Sequence, residues 1–243
     1  MLINGYTDIH THILPGVDDG AADMEQAMEL VRMAYQNGIR TVFVTPHYRG
    51  RYKQNDPSYL RKVFDGLQKN VARELPQMQL YLGSEIHYET DAPDALLAGK
   101  ILSLNDSQYC LLEFSPGTPR SQIIMGISEV IRRGFTPIIA HAERYEAFRK
   151  NRALPDEVLD MGALIQLNAE SVMGRRGLGV SMFCARLLKE QKAHFIATDA
   201  HNITERPPLL RECWRKIYKK FGQDYAVRLF YENAQAVIED RVI

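Results

Sequence analysis

Seven short apolar runs recur along the chain, and each stops at a metal-capable side chain or at a polar residue beside one. The stretches are residues 6–12, 41–47, 79–85, 109–113, 136–141, 164–168 and 195–201. Between them apolar residues return at three- and four-residue spacing, as Met24, Ala27, Met28, Val31 and Ala34 do, which is the period of a helix. Strand and helix therefore alternate, the pattern of an α/β fold with a parallel sheet. Closed into a barrel, parallel strands open all their carboxyl ends onto one face, so ligands scattered through the sequence converge there. Such barrels commonly run to roughly 250 residues as one domain. With 243 residues, 45% of them hydrophobic, the chain has the length and the core for a single domain over residues 1–243.

The first run ends Asp8-Ile9-His10-Thr11-His12, and alternate residues of a strand point to the same side. Two imidazoles so placed can reach one ion, with nitrogen–metal distances of about 2 Å. A lone His-x-His pair near a turn is often only that. Here His47, Glu85, His141, Asp199 and His201 close other apolar runs, and chance placement of that many ligands at strand ends is improbable. Thr198-Asp199-Ala200-His201 repeats the alternate-residue logic. Glu85 and Glu113 end apolar stretches where a buried carboxylate costs several kcal/mol unless a cation or partner meets it. A multi-metal active site is the expectation. Asp18-Asp19-Gly20 is weaker evidence, being also an ordinary turn and helix start. His194 precedes its apolar run, which puts it at the opposite end of the barrel in a structural role, and His87 could line the site or face solvent.

Thirty basic residues balance thirty acidic ones, so no net field draws nucleic acid or an anionic membrane. No run approaches the roughly 20 apolar residues of a membrane helix, and the first residues lack a signal peptide's basic and long apolar segments. A cytoplasmic protein without membrane insertion is expected. Cys110, Cys184 and Cys213 are odd in number and form no CxxC pair, as reduced, buried thiols do. Two polar, turn-rich segments follow strand ends and should hang over the open face: residues 48–58, a candidate lid, and residues 173–180, with three glycines and two arginines. Residues 59–75 carry the apolar stripe Leu60, Val63, Phe64, Leu67 and Val71 of a scaffold helix.

HTHILPGVDDG, then TPH, GSEI, LLEF, IIAHAERY and TDAH, run in order from Asp8 to His201. Together they resemble the metal-dependent protein-tyrosine phosphatases of bacterial capsule and exopolysaccharide systems (the CpsB/CapC type), within the polymerase-and-histidinol-phosphatase (PHP) superfamily. The resemblance implies a distorted (β/α)7 TIM-like barrel holding three metal ions, usually manganese. It places His10, His12, Glu85 and Asp199 on one ion, with Glu85 bridging to a second held by Glu113 and His141. Asp19, His47 and His201 would hold the third, with Asp18 as an alternative to Asp19. It also implies a catalytic set of Arg144, Arg206 and Asp199, and a phosphotyrosyl protein as partner, a tyrosine autokinase controlling polysaccharide export. A homo-oligomer is compatible with it. Family members often carry a second histidine after the TPH motif where this chain has Tyr48, which leaves the substrate contacts of residues 48–52 open.

The residues support that chemistry independently. Mixed imidazole and carboxylate ligands suit manganese, iron or zinc better than a thiolate-seeking ion. Ions roughly 3.5–4 Å apart can activate a water and clamp phosphoryl oxygens. Arg144, just beyond His141, and Arg206, after the last strand, are the cations placed to meet developing charge. No cysteine is followed six positions later by arginine, so a cysteine phosphatase is excluded, and no GxxxxGK[ST] phosphate loop occurs. Alternatives are a histidinol phosphatase or other small-molecule phosphatase of the same superfamily and a non-catalytic, metal-stabilised binder of phosphoprotein. An amidohydrolase is the least supported, because Glu113 stands where that class carries a strand-four lysine.

Overall fold

Each of the seven runs becomes a strand in the computed structural model, which describes residues 5–49 and 56–243. The strands are β1 (Tyr6–Thr11), β2 (Ile39–Val44), β3 (His47–Tyr48), β4 (Gln79–Leu82), β5 (Glu85–His87), β6 (Tyr109–Glu113), β7 (Thr136–Ile139), β8 (Leu164–Asn168) and β9 (Phe195–Ala197). The second and third runs are each split in two. Pro46, with no N–H to give a ladder, lies at the first break, and Gly83 at the second. A Cβ on Gly83 would lie 2.7 Å from the Leu104 side chain and 3.1 Å from its Cα, so only glycine lets the 103–106 segment approach here. The ladder resumes across both breaks through Gly83 N to Val44 O, 2.9 Å, and Glu85 N to Pro46 O, 3.0 Å.

Pairing among the described strands is parallel throughout, in the orders β1–β2–β4 and β3–β5–β6–β7–β8–β9. Because β3 prolongs β2 and β5 prolongs β4, the order comes round on itself. The seam between β9 and β1 closes through Asp199 N to His10 O, 2.9 Å, and His12 N to Ala200 O, 2.8 Å. Below these bonds the buried Asp8 carboxylate accepts from Thr198 N at 3.0 Å and from the Thr198 hydroxyl. The result is a distorted seven-stave (β/α) barrel.

Alternation along the staves divides the core into two shells. Ile9, Phe43, Leu111, Ile138, Ala140 and Phe195 fill the barrel interior. Val42, Val44, Leu80, Leu112, Ile139 and Ile165 point outward beneath the helices. Helix α1 (Met24–Gln36) starts where Asp23 accepts from Gln26 N at 3.0 Å, and it buries Ala27, Met28, Leu30, Val31 and Ala34. Helix α2 (Pro57–Glu74) is capped by Asp56, which accepts from Tyr59 N at 2.9 Å, and buries Leu60, Phe64, Leu67 and Val71 of the expected stripe, with Val63 half-buried at its edge. Of the 48–58 segment, residues 50–55 lie outside the described residues. Among the described residues no helix is long and apolar enough to cross a membrane.

His194 stands just before β9, at the barrel end away from the ligands. Its N–H donates to Ile165 O at 2.8 Å, and its Nδ1 accepts from Ile165 N at 3.3 Å, which requires a neutral ring. Burial first, and then the Arg228 charge, push its pKa down to about 4. A histidine whose folded pKa is depressed stabilises the fold above its unfolded pKa and loses that contribution as pH falls toward the folded value. Between about pH 6.5 and 4 His194 should therefore withdraw up to about 3 kcal/mol. In denaturant titrations, His194→Gln should flatten the pH dependence of stability over this window; an unchanged pH slope in that variant would contradict the assignment.

Candidate active site

Ligand direction begins with a slip in β1. Asp8 lies opposite Val42 but Thr11 opposite Val44, so three steps along β1 match two along β2. This extra residue turns both Ile9 and His10 inward, Ile9 into the apolar interior and His10 above it toward Gln166. His47 and Glu85 are register partners across β3 and β5, which brings His47 Nδ1 within 2.8 Å of Glu85 Oε2. Glu113 continues the inward series Tyr109, Leu111. His141 and Asp199 reach the rim differently: both are left-handed, at φ 32° and φ 56°. Such conformations cost about 1–3 kcal/mol in a non-glycine residue and cluster at functional sites.

Five imidazoles and four carboxylates thereby meet at the C-terminal rim, in groups whose ligand atoms lie within 4.8 Å of one another. His10 Nε2 lies 3.3 Å from Glu85 Oε1 and 3.5 Å from Asp199 Oδ1, and His12 Nε2 lies 3.3 Å from Glu85 Oε2 and 3.4 Å from Asp199 Oδ1. His141 Nε2 is 2.8 Å from Glu85 Oε1 and 3.7 Å from Glu113 Oε1. Asp19 Oδ1 is 3.2 Å from His47 Nε2 and 3.6 Å from His201 Nε2. All nine residues expected as ligands are thus gathered, Glu85 at their centre.

The two aspartates of the 18–20 turn separate cleanly. The Asp18 side chain is buried, and its carboxylate accepts from His12 Nδ1 (2.8 Å), His47 N (3.0 Å) and Gly20 N (3.0 Å). Asp19, with its side chain 44% exposed, faces the cluster instead. Gly20 makes the turn possible, because a Cβ there would sit 1.8 Å from the His12 carbonyl oxygen.

What lies behind the imidazoles sets which nitrogen faces inward. Asp18 Oδ2 accepts a hydrogen bond from His12 Nδ1, Gln166 Oε1 lies 3.2 Å from His10 Nδ1, and the Asp199 carbonyl oxygen lies 3.0 Å from His201 Nδ1. Behind His141, the Tyr145 hydroxyl is 3.3 Å from Nδ1 and also accepts from Phe114 N. With Nδ1 facing an acceptor oxygen, the His10, His12 and His201 rings can each offer an Nε2 lone pair to the cluster, the form that binds a cation.

Charge points the same way. Burial alone would raise the Glu85 pKa, but the charges of His10 and His47 hold its carboxyl well below the usual range. Burial of Asp199 is likewise overcome, chiefly by His10, His12 and Arg144. The hydrogen bond from His47 lowers Asp19. Burial and the neighbouring His12 charge push His201 down to about 3. Glu85 Oε2 faces the His47 and His12 rings at 2.8 and 3.3 Å, and His201 Nε2 is buried without a hydrogen-bonding partner. Burial alone would lower His12 and His47, but Asp18 and Glu85 respectively raise them, so the carboxylates and imidazoles of the rim balance one another's charge, a donor set that fits hard or borderline cations.

Arg144 and Arg206 reach the rim from opposite sides and both meet Asp199, Arg144 Nη2 at 2.8 Å from Oδ2 and Arg206 Nη2 at 2.5 Å from Oδ1. His87, register partner of Glu113, sets its Nδ1 3.2 Å from Glu113 Oε2, so it does line the site. Arg49 bridges the mouth, 3.5 Å from both Glu113 Oε2 and Asp19 Oδ2. Arg175, from the 173–180 segment, joins Arg206 in lining an adjoining cavity of about 110 Å³. Cys110, Cys184 and Cys213 are free and buried, and burial pushes the Cys110 and Cys213 thiols up to about 12. Sequence reasoning did not single out Gln166, Asn168, Tyr145 or Arg49. Two amides at alternate positions of an otherwise apolar strand, Gln166 and Asn168, were the available signal.

A parallel barrel whose C-terminal rim gathers imidazoles and carboxylates around shared oxygens defines the class of barrel proteins equipped to hold several cations at one mouth. The chain belongs to the family described as capsular polysaccharide synthesis, CpsB/CapC, whose model it matches over residues 6–239. It is 32% identical over 241 residues to the tyrosine-protein phosphatase CpsB of Streptococcus agalactiae, covering 97% of this chain and 99% of that one. It is 34% identical over 239 residues to the tyrosine-protein phosphatase YwqE of Bacillus subtilis, covering 97% and 92%. A crystal structure from work on YwqE of Bacillus subtilis and CpsB of Streptococcus pneumoniae, described as unique metal-dependent tyrosine phosphatases, aligns with a TM-score of 0.91. That match has 33% identity and covers 98% of this chain and 96% of the other.

The unequal surroundings of the two aspartates yield a stability test. Asp18→Ala strands two backbone N–H groups and the His12 ring, and should cost about 3 kcal/mol. Asp19→Ala removes a half-exposed carboxylate and should stay within about 0.5 kcal/mol of the parent. Equal losses for the two in denaturant titrations would show that the turn is misread.

Proposed function

We infer that this protein is a metal-dependent phosphoesterase that hydrolyses phosphotyrosine on protein. The observation that carries the reading is the convergence of nine ligand side chains on one rim, flanked by two guanidinium groups. Membership of a family whose relatives are named tyrosine-protein phosphatases supports it.

In this reading His10, His12, Glu85 and Asp199 hold one ion, Glu85, Glu113 and His141 a second, and Asp19, His47 and His201 a third. Asp18 orients His12 and does not ligate. We assign manganese, because imidazole and carboxylate donors without thiolate favour a borderline ion, with iron or zinc as the substitutes. Bound ions would supply an activated water for in-line attack at phosphorus and neutralise charge on the phosphoryl oxygens. Arg144 and Arg206 hold the non-bridging oxygens as charge develops, and Asp199, between them, couples that clamp to the ligand cluster. The buried thiols take no part. The substrate we assign is a tyrosine autokinase controlling capsule or exopolysaccharide synthesis, met in the cytoplasm by a single catalytic domain.

A strong chelator should abolish hydrolysis of a phosphotyrosyl peptide, and manganese should restore it better than magnesium. Assayed beside it, histidinol phosphate should be the poorer substrate by kcat/KM. Full activity after verified metal removal would sink the metal reading, and preference for histidinol phosphate would sink the protein substrate.

Arg144→Ala and Arg206→Ala should keep near-parent metal content yet lose roughly ten- to a thousand-fold in kcat/KM, about 2 to 4 kcal/mol for one charged donor. Lysine should rescue only in part, because an ammonium lacks the planar, two-pronged contact. Parent rates in both alanine variants, with metals in place, would make these arginines bystanders.

A further inference from the structure

Gln166 and Asn168 alternate on β8, and both are completely buried directly behind the ligand cluster. Gln166 Oε1 accepts from the His141 backbone N–H at 2.8 Å. That donor is covalently fixed, so it decides which end of the Gln166 amide is oxygen. The rest follows in sequence. The same oxygen lies 3.2 Å from His10 Nδ1, which must then carry the proton. Gln166 Nε2 donates to Asn168 Oδ1 at 2.8 Å, and Asn168 Nδ2 in turn donates to Asp199 Oδ2 at 3.0 Å. The main chain of Asn168 is held in place as well, its N–H donating to the buried Glu143 carboxylate at 3.0 Å. No hydroxyl interrupts this chain, so none of its members can reverse direction without leaving a buried donor facing a donor.

We propose that Gln166 and Asn168 are positioning residues of the rim: a one-way amide relay whose sense is set by the His141 N–H. At one end it keeps His10 in the Nδ1–H form, with the Nε2 lone pair toward Glu85 and Asp199. At the other it holds Asp199 Oδ2 outward, together with Arg144, and leaves Oδ1 facing His10 and His12. A ligand from β1, one following β7 and one following β9 are thereby oriented by a single strand. The inference rests on the rim being a metal centre, and manganese titration of the unaltered protein tests that reading separately.

The experiment is calorimetric titration of the metal-stripped protein with manganese, paired with nitrogen-15 spectra of the histidine rings in the zinc-loaded protein. Gln166→Met, close to the parent in shape but without an acceptor, should weaken manganese binding by roughly ten- to a hundred-fold, the usual effect of losing a group behind a ligand. The His10 signals should lose their pure Nδ1–H character. Gln166→Glu keeps an acceptor oxygen opposite His10 and His141 but loses the donor to Asn168, so it should restore the parent His10 signals while recovering only part of the affinity. Asn168→Ala leaves those two contacts alone, and should weaken binding through Asp199 while His10 stays unchanged. Parent affinity in Gln166→Met overturns the relay, as does an equal loss in Gln166→Met and Gln166→Glu, which would mark a packing role. If Gln166→Met does not fold, Asn168→Ala decides, and parent affinity there overturns the proposal. A parent protein that takes up no manganese overturns the metal centre and the relay together, whereas a relay that fails in a protein that binds manganese leaves the metal centre standing.

Discussion

The seam between the last strand and the first governs everything else at the rim. His10 and His12 come from the start of the chain, Asp199 and His201 from a point about 190 residues later, and only closure of the barrel makes them neighbours. The closure is hydrogen-bonded at three levels: Asp8 to Thr198, Asp199 N to His10 O, and His12 N to Ala200 O. Asp8 is a demanding choice for the lowest level. Burial pushes its pKa up to about 6 even though both donors of Thr198 pull it down. A carboxylate at that depth is tolerated because Thr198 presents its backbone N–H and its hydroxyl together, and the pairing holds the two chain segments in one relative position.

Above the seam, regular strand geometry does not suffice to aim the ligands. A strict two-residue alternation would send Ile9 and His10 to opposite faces, and Ala140 and His141 likewise. The slip in β1 solves the first case and the left-handed conformation of His141 the second. Each device is unfavourable locally and persists only where neighbours over-determine it. Around His141 those neighbours are the Gln166 amide on its N–H, Tyr145 behind its ring and Glu85 before it. The strain and the buried polar network therefore belong together.

Much of this architecture is legible in the sequence. The seven strand ends, the stripes of α1 and α2, the remote position of His194 and the buried state of the cysteines follow from periodicity and residue type, which act over a few residues and leave their mark in sequence. The ligand types are legible for the same reason: a histidine or carboxylate at the close of an apolar run is costly to bury unless a cation or a partner meets it. The breaks at Pro46 and Gly83 and the overhang of Arg49 are not, because they depend on what the neighbouring stave offers. Asp18 and Asp19 cannot be told apart from residue type, since the two differ only in which way the turn around Gly20 faces.

The sequence by itself determined the alternation of strand and helix, the residues able to bind cations and the absence of a cysteine or nucleotide-loop chemistry, because these rest on composition and on spacing within single elements. Only the tertiary structure decided which imidazole nitrogen points inward, that Asp18 orients while Asp19 faces the cluster, that His87 pairs with Glu113, and that Gln166 and Asn168 link three staves. Those facts depend on contacts between residues far apart in the chain. Such contacts exist only once β9 has met β1, and no local pattern encodes their direction.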